Sequence, residues 1–424
     1  MSKLLAGVAK SVINPPVGVD LSGYASRTSG SIGIHDDLHA KALVISDGST
    51  KAAVVTLDLL GIDARQVADL RAEISSKTDI PMGNILISAS HTHTGPATQE
   101  LRVCGRVHEQ YIRDLLKKIA VTVKEAEGCM QPAEFGYSVG RANIAVNRRL
   151  RTQTGETHLM PNPAGVTDPD VGVWYFRNMK GDPIAILFNY ACHAVVIGDV
   201  LEISADWPGA AQRVLEKDVG GQAMFLQGCC GNINPRERFS WQVVEKLGGE
   251  VADAVKNVLP DIHLTSDAKI SVAREVIELP LQPPPSREEL ERIIAETEKS
   301  MQASEPTSTD WRINAAYNDW AKTLLTGESK ASVSIEVFRL RLGDYNIITL
   351  PGEAFVEYAL QIKAMKPNTI VAAYSNGNIG YIPTKSAFPE KGYEVEVAYK
   401  LYGEQVITDE AEDLILTTAR RLLT

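Results

Sequence analysis

Four apolar, strand-like runs in this chain each end in residues that bind metals or move protons. They are Ile85 to Ser90 leading into His91-Thr92-His93-Thr94-Gly95-Pro96, Leu187 to Cys192 leading into His193, Phe225 to Gln227 leading through Gly228-Cys229-Cys230-Gly231 to Asn234-Pro235, and Ile348 to Gly352 leading into Glu353. In an extended segment residues i and i+2 face the same way, so His91 and His93 are expected to point into one cavity, with Gly95-Pro96 ending the strand. Singly, each of these histidines also reads as a hydrogen-bonded loop or core residue, and Glu353 as a carboxylate favouring the start of the next helix. Together, two His and one Glu with an open position make a catalytic zinc set, in which bound water becomes a nucleophile at neutral pH. Ligands of open α/β sheets bind outside the carboxyl ends of the strands, so the four segments point to one site.

Other residues carry less information by type alone. Arg148 reads as a solvated charge, and Tyr381 and Tyr393 as surface or core tyrosines. Cys229-Cys230 has no further cysteine at ligand spacing, so the pair reads as small buried residues beside a tight turn. There is no Walker loop, no GxGxxG and no GxSxG elbow, which removes support for nucleotide binding and for a serine-elbow hydrolase.

The elements that must hold these residues alternate between short β-rich runs and amphipathic helical runs. That pattern predicts an α/β fold with a mixed, mostly parallel sheet flanked by helices. Strands are expected over 52–57, 84–88, 184–190, 223–227, 332–342, 347–350 and 370–373. Helices are expected over 64–75, 109–127, 207–219, 241–258, 355–365 and 409–423. After the Pro-rich break at 279–286, Ser286 and Glu289 form a capping-box pattern, and a second helix ends at Gly327, so residues 286–326 read as an inserted helical hairpin. No internal repeat is visible in the sequence.

The chain has 424 residues, length for about two to three average domains or for one large domain with insertions. It is read as a single domain spanning 1–424. Hydrophobic residues make up 44% and charged residues 23%, the balance of an ordinary globular protein. Net charge is −10, and no basic run exceeds Arg148-Arg149, which gives no basis for a nucleic-acid partner. The apolar stretches 171–176 and 184–190 fall far short of the roughly 18 residues a membrane span needs. Residues 4–9 are too short for a signal core, and five cysteines, an odd number, read as reduced thiols; both point to the cytoplasm. The partner expected is a small-molecule substrate, with homo-oligomer formation left open.

These segments resemble the neutral, non-lysosomal ceramidase family in its N-terminal catalytic domain. The resemblance is carried by Gly7 to Pro16, Gly33 to Leu38, Ser90-His91-Thr92-His93-Thr94-Gly95-Pro96, Asn143 to Arg148, Ser204 to Gly209, Gln227 to Pro235, Leu350 to Glu353 and Gly380-Tyr381. It implies a Zn²⁺ held by His91, His193, Glu353 and Tyr381, with His93, Arg148 and Tyr393 lining the reacting centre. A glutamate and a phenolate would neutralise the ion. The family's Gly-Asp-x-Ser-Pro serine falls on Asn234, which cannot be a hydroxyl nucleophile but can donate to an oxyanion. On this reading the chain lacks the family's C-terminal immunoglobulin-like domain and secretion signal. The expectation is a zinc-dependent hydrolase that cleaves an amide (N-acyl) bond of a small soluble substrate. The alternatives are a catalytically silent binding protein of the same fold and a metal-dependent esterase or lactonase.

Overall fold

The structure is a computed structural model that describes residues 4–327 and 329–424. Its framework follows one path three times: three antiparallel strands, a helix, then a fourth strand parallel to the third. The first unit comprises β1 (Leu5–Val12), β2 (His39–Ser46), β3 (Lys51–Leu57), α1 (Ala64–Lys77) and β4 (Ile85–Ala89). After α2 (Glu109–Gly128), the second unit comprises β5 (Gln131–Arg141), β6 (Asp170–Asn178), β7 (Pro183–Tyr190), α3 (Asp206–Asp218) and β8 (Gln222–Gln227). Helix α4 (Trp241–Lys256) leads to the third unit. That unit runs through β9 (Ile270–Pro280), the hairpin helices α5 (Arg287–Gln302) and α6 (Thr309–Thr326), then β10 (Ser332–Leu342), β11 (Tyr345–Thr349), α7 (Val356–Met365) and β12 (Thr369–Ala372). Helix α8 (Ala411–Leu423) closes the chain.

The first two units share an eight-stranded sheet of order β8-β7-β6-β5-β1-β2-β3-β4, joined where β1 meets β5 antiparallel. The third forms a four-stranded sheet, β9-β10-β11-β12. The sequence shows no repeat because the three units share a path and not a residue pattern. One face of the large sheet packs under the helices, with Val44, Val55 and Leu57 against Leu70, Ile74 and Ile119. The other packs on the third unit, with Leu43, Val54, Trp174 and Leu187 in one cluster with Phe338, Leu340 and Ile370.

The sheet is mixed, as expected, but it is not mostly parallel. Within the two main sheets parallel pairing is confined to β3 with β4, β7 with β8 and β11 with β12, and the remaining pairs are antiparallel, whether joined by short turns or by the long connections. Burial on both faces explains the misreading. It produces continuous apolar strands whatever their direction, and such runs ordinarily signal parallel pairing.

In each unit the long connection lies between the first and second strands, at residues 13–38, 142–169 and 281–331. First, third and fourth strands run the same way, so all three insertions rise from the end of the sheets where the parallel pairs stop. The third insertion carries the predicted hairpin, packed around Leu290, Trp320 and Ala321. Ser286 Oγ accepts from the Glu289 N–H at its start. Among the described residues no helix is long and apolar enough to cross a membrane.

Candidate metal centre and catalytic site

The rim from which the insertions rise is where the predicted residues meet. His91 follows β4 in the first unit, His193 follows β7 in the second, and Glu353 follows β11 in the third. Glu353 and Tyr381 sit in register on two short parallel strands, which sets their side chains beside each other. His91 and His93 do converge, but not by strand alternation. β4 ends at Ala89, and His91 adopts φ 61°, a left-handed conformation rare for a β-carbon residue, so the chain turns the two rings together. Their centroids lie 4.7 Å apart with planes nearly perpendicular.

Two buried devices fix this geometry. Gln227 Nε2 donates to the carbonyls of Ser90 (2.9 Å) and Cys192 (3.0 Å), the residues just before the two histidines. Asp206 accepts from the N–H groups of Val196, Ile197 and Trp207, and the Trp207 indole donates to the His193 carbonyl at 3.0 Å, so the Ser204–Gly209 motif clamps the His193 loop. Gly231 lets its loop pass against the strand of Glu353, where an added β-carbon would lie 2.2 Å from the Glu353 carbonyl oxygen.

The donor chemistry follows from the hydrogen bonds. His91 Nδ1 lies 2.7 Å from the Leu60 carbonyl, and His193 Nδ1 lies 2.7 Å from that of Cys230. A carbonyl only accepts, so each Nδ1 carries the proton and each Nε2 keeps its lone pair. Both Nε2 atoms face Glu353 Oε2, at 3.3 Å from His91 and 3.2 Å from His193. Burial lowers the His193 pKa to about 4, leaving a neutral imidazole. Three acceptors facing one another at these distances repel unless a cation sits among them. His91, His93 and His193 bring ring nitrogens within 4.8 Å of one another. The residues thus fit a metal ion.

The remaining predicted residues gather around this set. Arg148 is buried, not solvated. It donates from Nη2 to Tyr381 Oη at 2.9 Å, from Nη1 to Asn234 Oδ1 at 3.3 Å and from Nε to Glu394 Oε1 at 3.1 Å. Burial pushes the Tyr381 phenol well up, and Arg148 beside it pulls the other way. The Tyr393 ring lies 5.8 Å from that of Tyr381. His93 stands with Nε2 3.1 Å from His91 Nε2, and its buried Nδ1 has no hydrogen-bond partner. Burial, with His91 and His193 adding to it, sets its pKa well below normal.

The model of the neutral/alkaline non-lysosomal ceramidase family, N-terminal region, matches residues 5–241. The chain belongs to that family. Among ceramidases of known sequence, neutral ceramidase B of Dictyostelium discoideum is 26% identical over 242 residues, covering 52% of this chain and 34% of that protein. The neutral ceramidase of Drosophila melanogaster is 22% identical over 251 residues, covering 53% and 35%. The matched region thus spans about a third of the length of these curated relatives. The fold is that of the neutral ceramidase from Pseudomonas aeruginosa, with a TM-score of 0.77 at 17% identity over 100% of this chain and 75% of that one. His91, His93, Arg148, His193 and Asn234 fall inside the segment matched by the ceramidase model, whereas Glu353, Tyr381 and Tyr393 come to the same rim through the fold alone.

Several residues of this ceramidase-family site escaped sequence reading. Glu394 accepts from Arg149 Nη1 at 2.6 Å as well as from Arg148. Tyr374 donates to Glu353 Oε2 at 3.3 Å, and Tyr402 to Glu353 Oε1 at 2.6 Å. The one available signal was the Arg148-Arg149 doublet in a strand-like run, which needs a counter-charge if it is buried.

Proposed function

We propose that the chain is a zinc-dependent hydrolase that cleaves an amide (N-acyl) bond. The observation that carries this reading is the convergence of two imidazole lone pairs and a carboxylate oxygen, with Tyr381 beside them and four further polar groups at the rim. Zinc in such a set supplies a Lewis acid for an acyl carbonyl and activates water. The chain's own residues do the rest. Asn234 gives its side-chain carbonyl to Arg148, so its amide N–H groups are left to donate to an oxyanion. The Tyr393 phenol, held protonated by burial, is a second donor there. Arg148 anchors a polar substrate group, and neutral His93 takes a proton from the attacking water and passes it to the leaving nitrogen.

If water attacks directly, Asn234→Ala should lower kcat by about 10² to 10³ without abolishing turnover, the cost of one oxyanion donor. Unchanged kcat would remove Asn234 from the reaction, and loss beyond detection would give it a more direct part.

The substrate we propose is small and water-soluble. A cavity of about 440 Å³ between the first and third insertions is lined by Asp20, Arg27, Arg106, Trp311 and Arg312 beside Leu21 and Val103, and Arg27 connects it to the site by donating to the His93 carbonyl at 2.7 Å. The net charge of −10 disfavours approach to an anionic bilayer. The five cysteines are all free, which supports a reducing compartment. A lipid substrate is the second reading, favoured by Phe239 and Ile32, 70% and 69% exposed, whose backbone N–H groups bond to the Val196 and Leu201 carbonyls of the loop that follows His193. We expect kcat/KM for a short-chain N-acyl amine to exceed that for detergent-dispersed long-chain ceramide at least tenfold, about 1.4 kcal/mol of transition-state preference. The reverse order would establish the lipid reading.

A further inference from the structure

We infer that Tyr402 is a positioning residue that divides the two oxygens of Glu353 between separate tasks, holding Oε1 so that only Oε2 can reach a metal ion. The inference rests on the metal site proposed above. Glu353 Oε2 is the oxygen 3.2 to 3.3 Å from the Nε2 atoms of His193 and His91. Its partner Oε1 receives the Tyr402 hydroxyl at 2.6 Å, the short distance of a hydrogen bond to a charged acceptor. A carboxylate with one oxygen so engaged binds through the other, which leaves a coordination position free. Released, it can swing to bind through both oxygens and fill that position, as carboxylates readily do.

The surroundings accommodate this phenol specifically. Gly380, immediately before Tyr381, has φ 87°, and a β-carbon there would press on the Tyr402 ring at 3.1 Å. The Tyr402 and Tyr381 rings meet edge to face with centroids 6.4 Å apart. Tyr402 ends the short helix Ala398–Tyr402, which is held from outside by the hairpin: Trp320 Nε1 donates to the Glu404 carbonyl at 3.0 Å, and the Trp320 ring packs on Tyr399. The third-unit insertion is thus linked to the site through the segment that carries Tyr402.

The test compares wild type with Tyr402→Phe, each loaded with cobalt(II) in place of zinc, by visible absorption, zinc affinity and metal-free thermal unfolding. The ring and its packing are kept, so the metal-free melting temperature should stay within about 2 °C. The cobalt d–d spectrum should lose the strong bands of a four-coordinate site and move to the weaker ones of five coordination, with zinc affinity or activity falling about 10- to 100-fold. An unmoved spectrum and unchanged affinity would overturn the inference, as would a fall in melting temperature with the spectrum unmoved, which makes Tyr402 a packing residue. Wild type that takes up no cobalt would overturn the metal site itself, an outcome distinct from a variant that matches wild type.

Discussion

Replacing His193 by alanine is expected to leave less than about a tenth of an equivalent of zinc in protein purified without chelators, where the unaltered chain retains about one. His193 brings a neutral imidazole whose Nδ1 is committed to the Cys230 and Ile233 carbonyls, so its Nε2 is presented without rotational freedom. Removing it would leave three of the four donors proposed to hold the ion, and the affinity of such sites is steep in ligand number. Catalysis should disappear with the metal. Elemental analysis of both proteins decides the matter: stoichiometric metal in His193→Ala would remove this residue from the site, and absence from both would remove the site.

Glu394→Ala should destabilise the fold by about 3 to 5 kcal/mol, the cost of stranding buried charge when one partner of an internal ion pair is removed. The carboxylate is 1% exposed and serves two adjacent guanidiniums, Arg148 at 3.1 Å and Arg149 at 2.6 Å, themselves only 6% and 7% exposed. Alanine leaves two like charges side by side in a strand, and among the described residues no other carboxylate is in ion-pair contact with Arg148. Chemical denaturation of the two proteins measures this, and a loss under about 1 kcal/mol would show that water or Glu390, 3.5 Å from Arg149, takes over the pairing. Replacing Glu394, Arg148 and Arg149 together by apolar residues should be much milder than the single change.

What could be read from the sequence and what could not divide along physical lines. Strand-terminal His91, His193 and Glu353 were legible because apolar runs mark buried strands and ligands gather where such strands stop. Helix starts were legible where a side chain caps the backbone, as Ser286 does. Strand direction was not, since Val54 and Leu187 are apolar for reasons of burial that antiparallel and parallel neighbours share. The strand β9 escaped notice because its Arg274, Val276 and Glu278 face outward in a polar stretch. Glu394 and Tyr402 escaped because their meaning lies wholly in partners far along the chain, Arg148 and Glu353, and nothing in the local Gly- and Tyr-rich segment distinguishes them from surface residues. The turn at His91 was invisible for a different cause: a left-handed histidine is an exception to local preference, sustained only by what surrounds it.

The threefold path of the chain has a consequence for assembly. His91 belongs to the first unit, His193 to the second, and Glu353 with Tyr381 to the third, so an ion bound among them is a crosslink between three pieces that chain connectivity alone joins only end to end. Whatever free energy the ion contributes, about 4 kcal/mol at a thousandfold excess over its dissociation constant, is therefore felt as cohesion between units and hardly at all as stability within one. With the proposed ion in place, a chelator would therefore weaken the joint between the thirds as well as the reaction at the cleft.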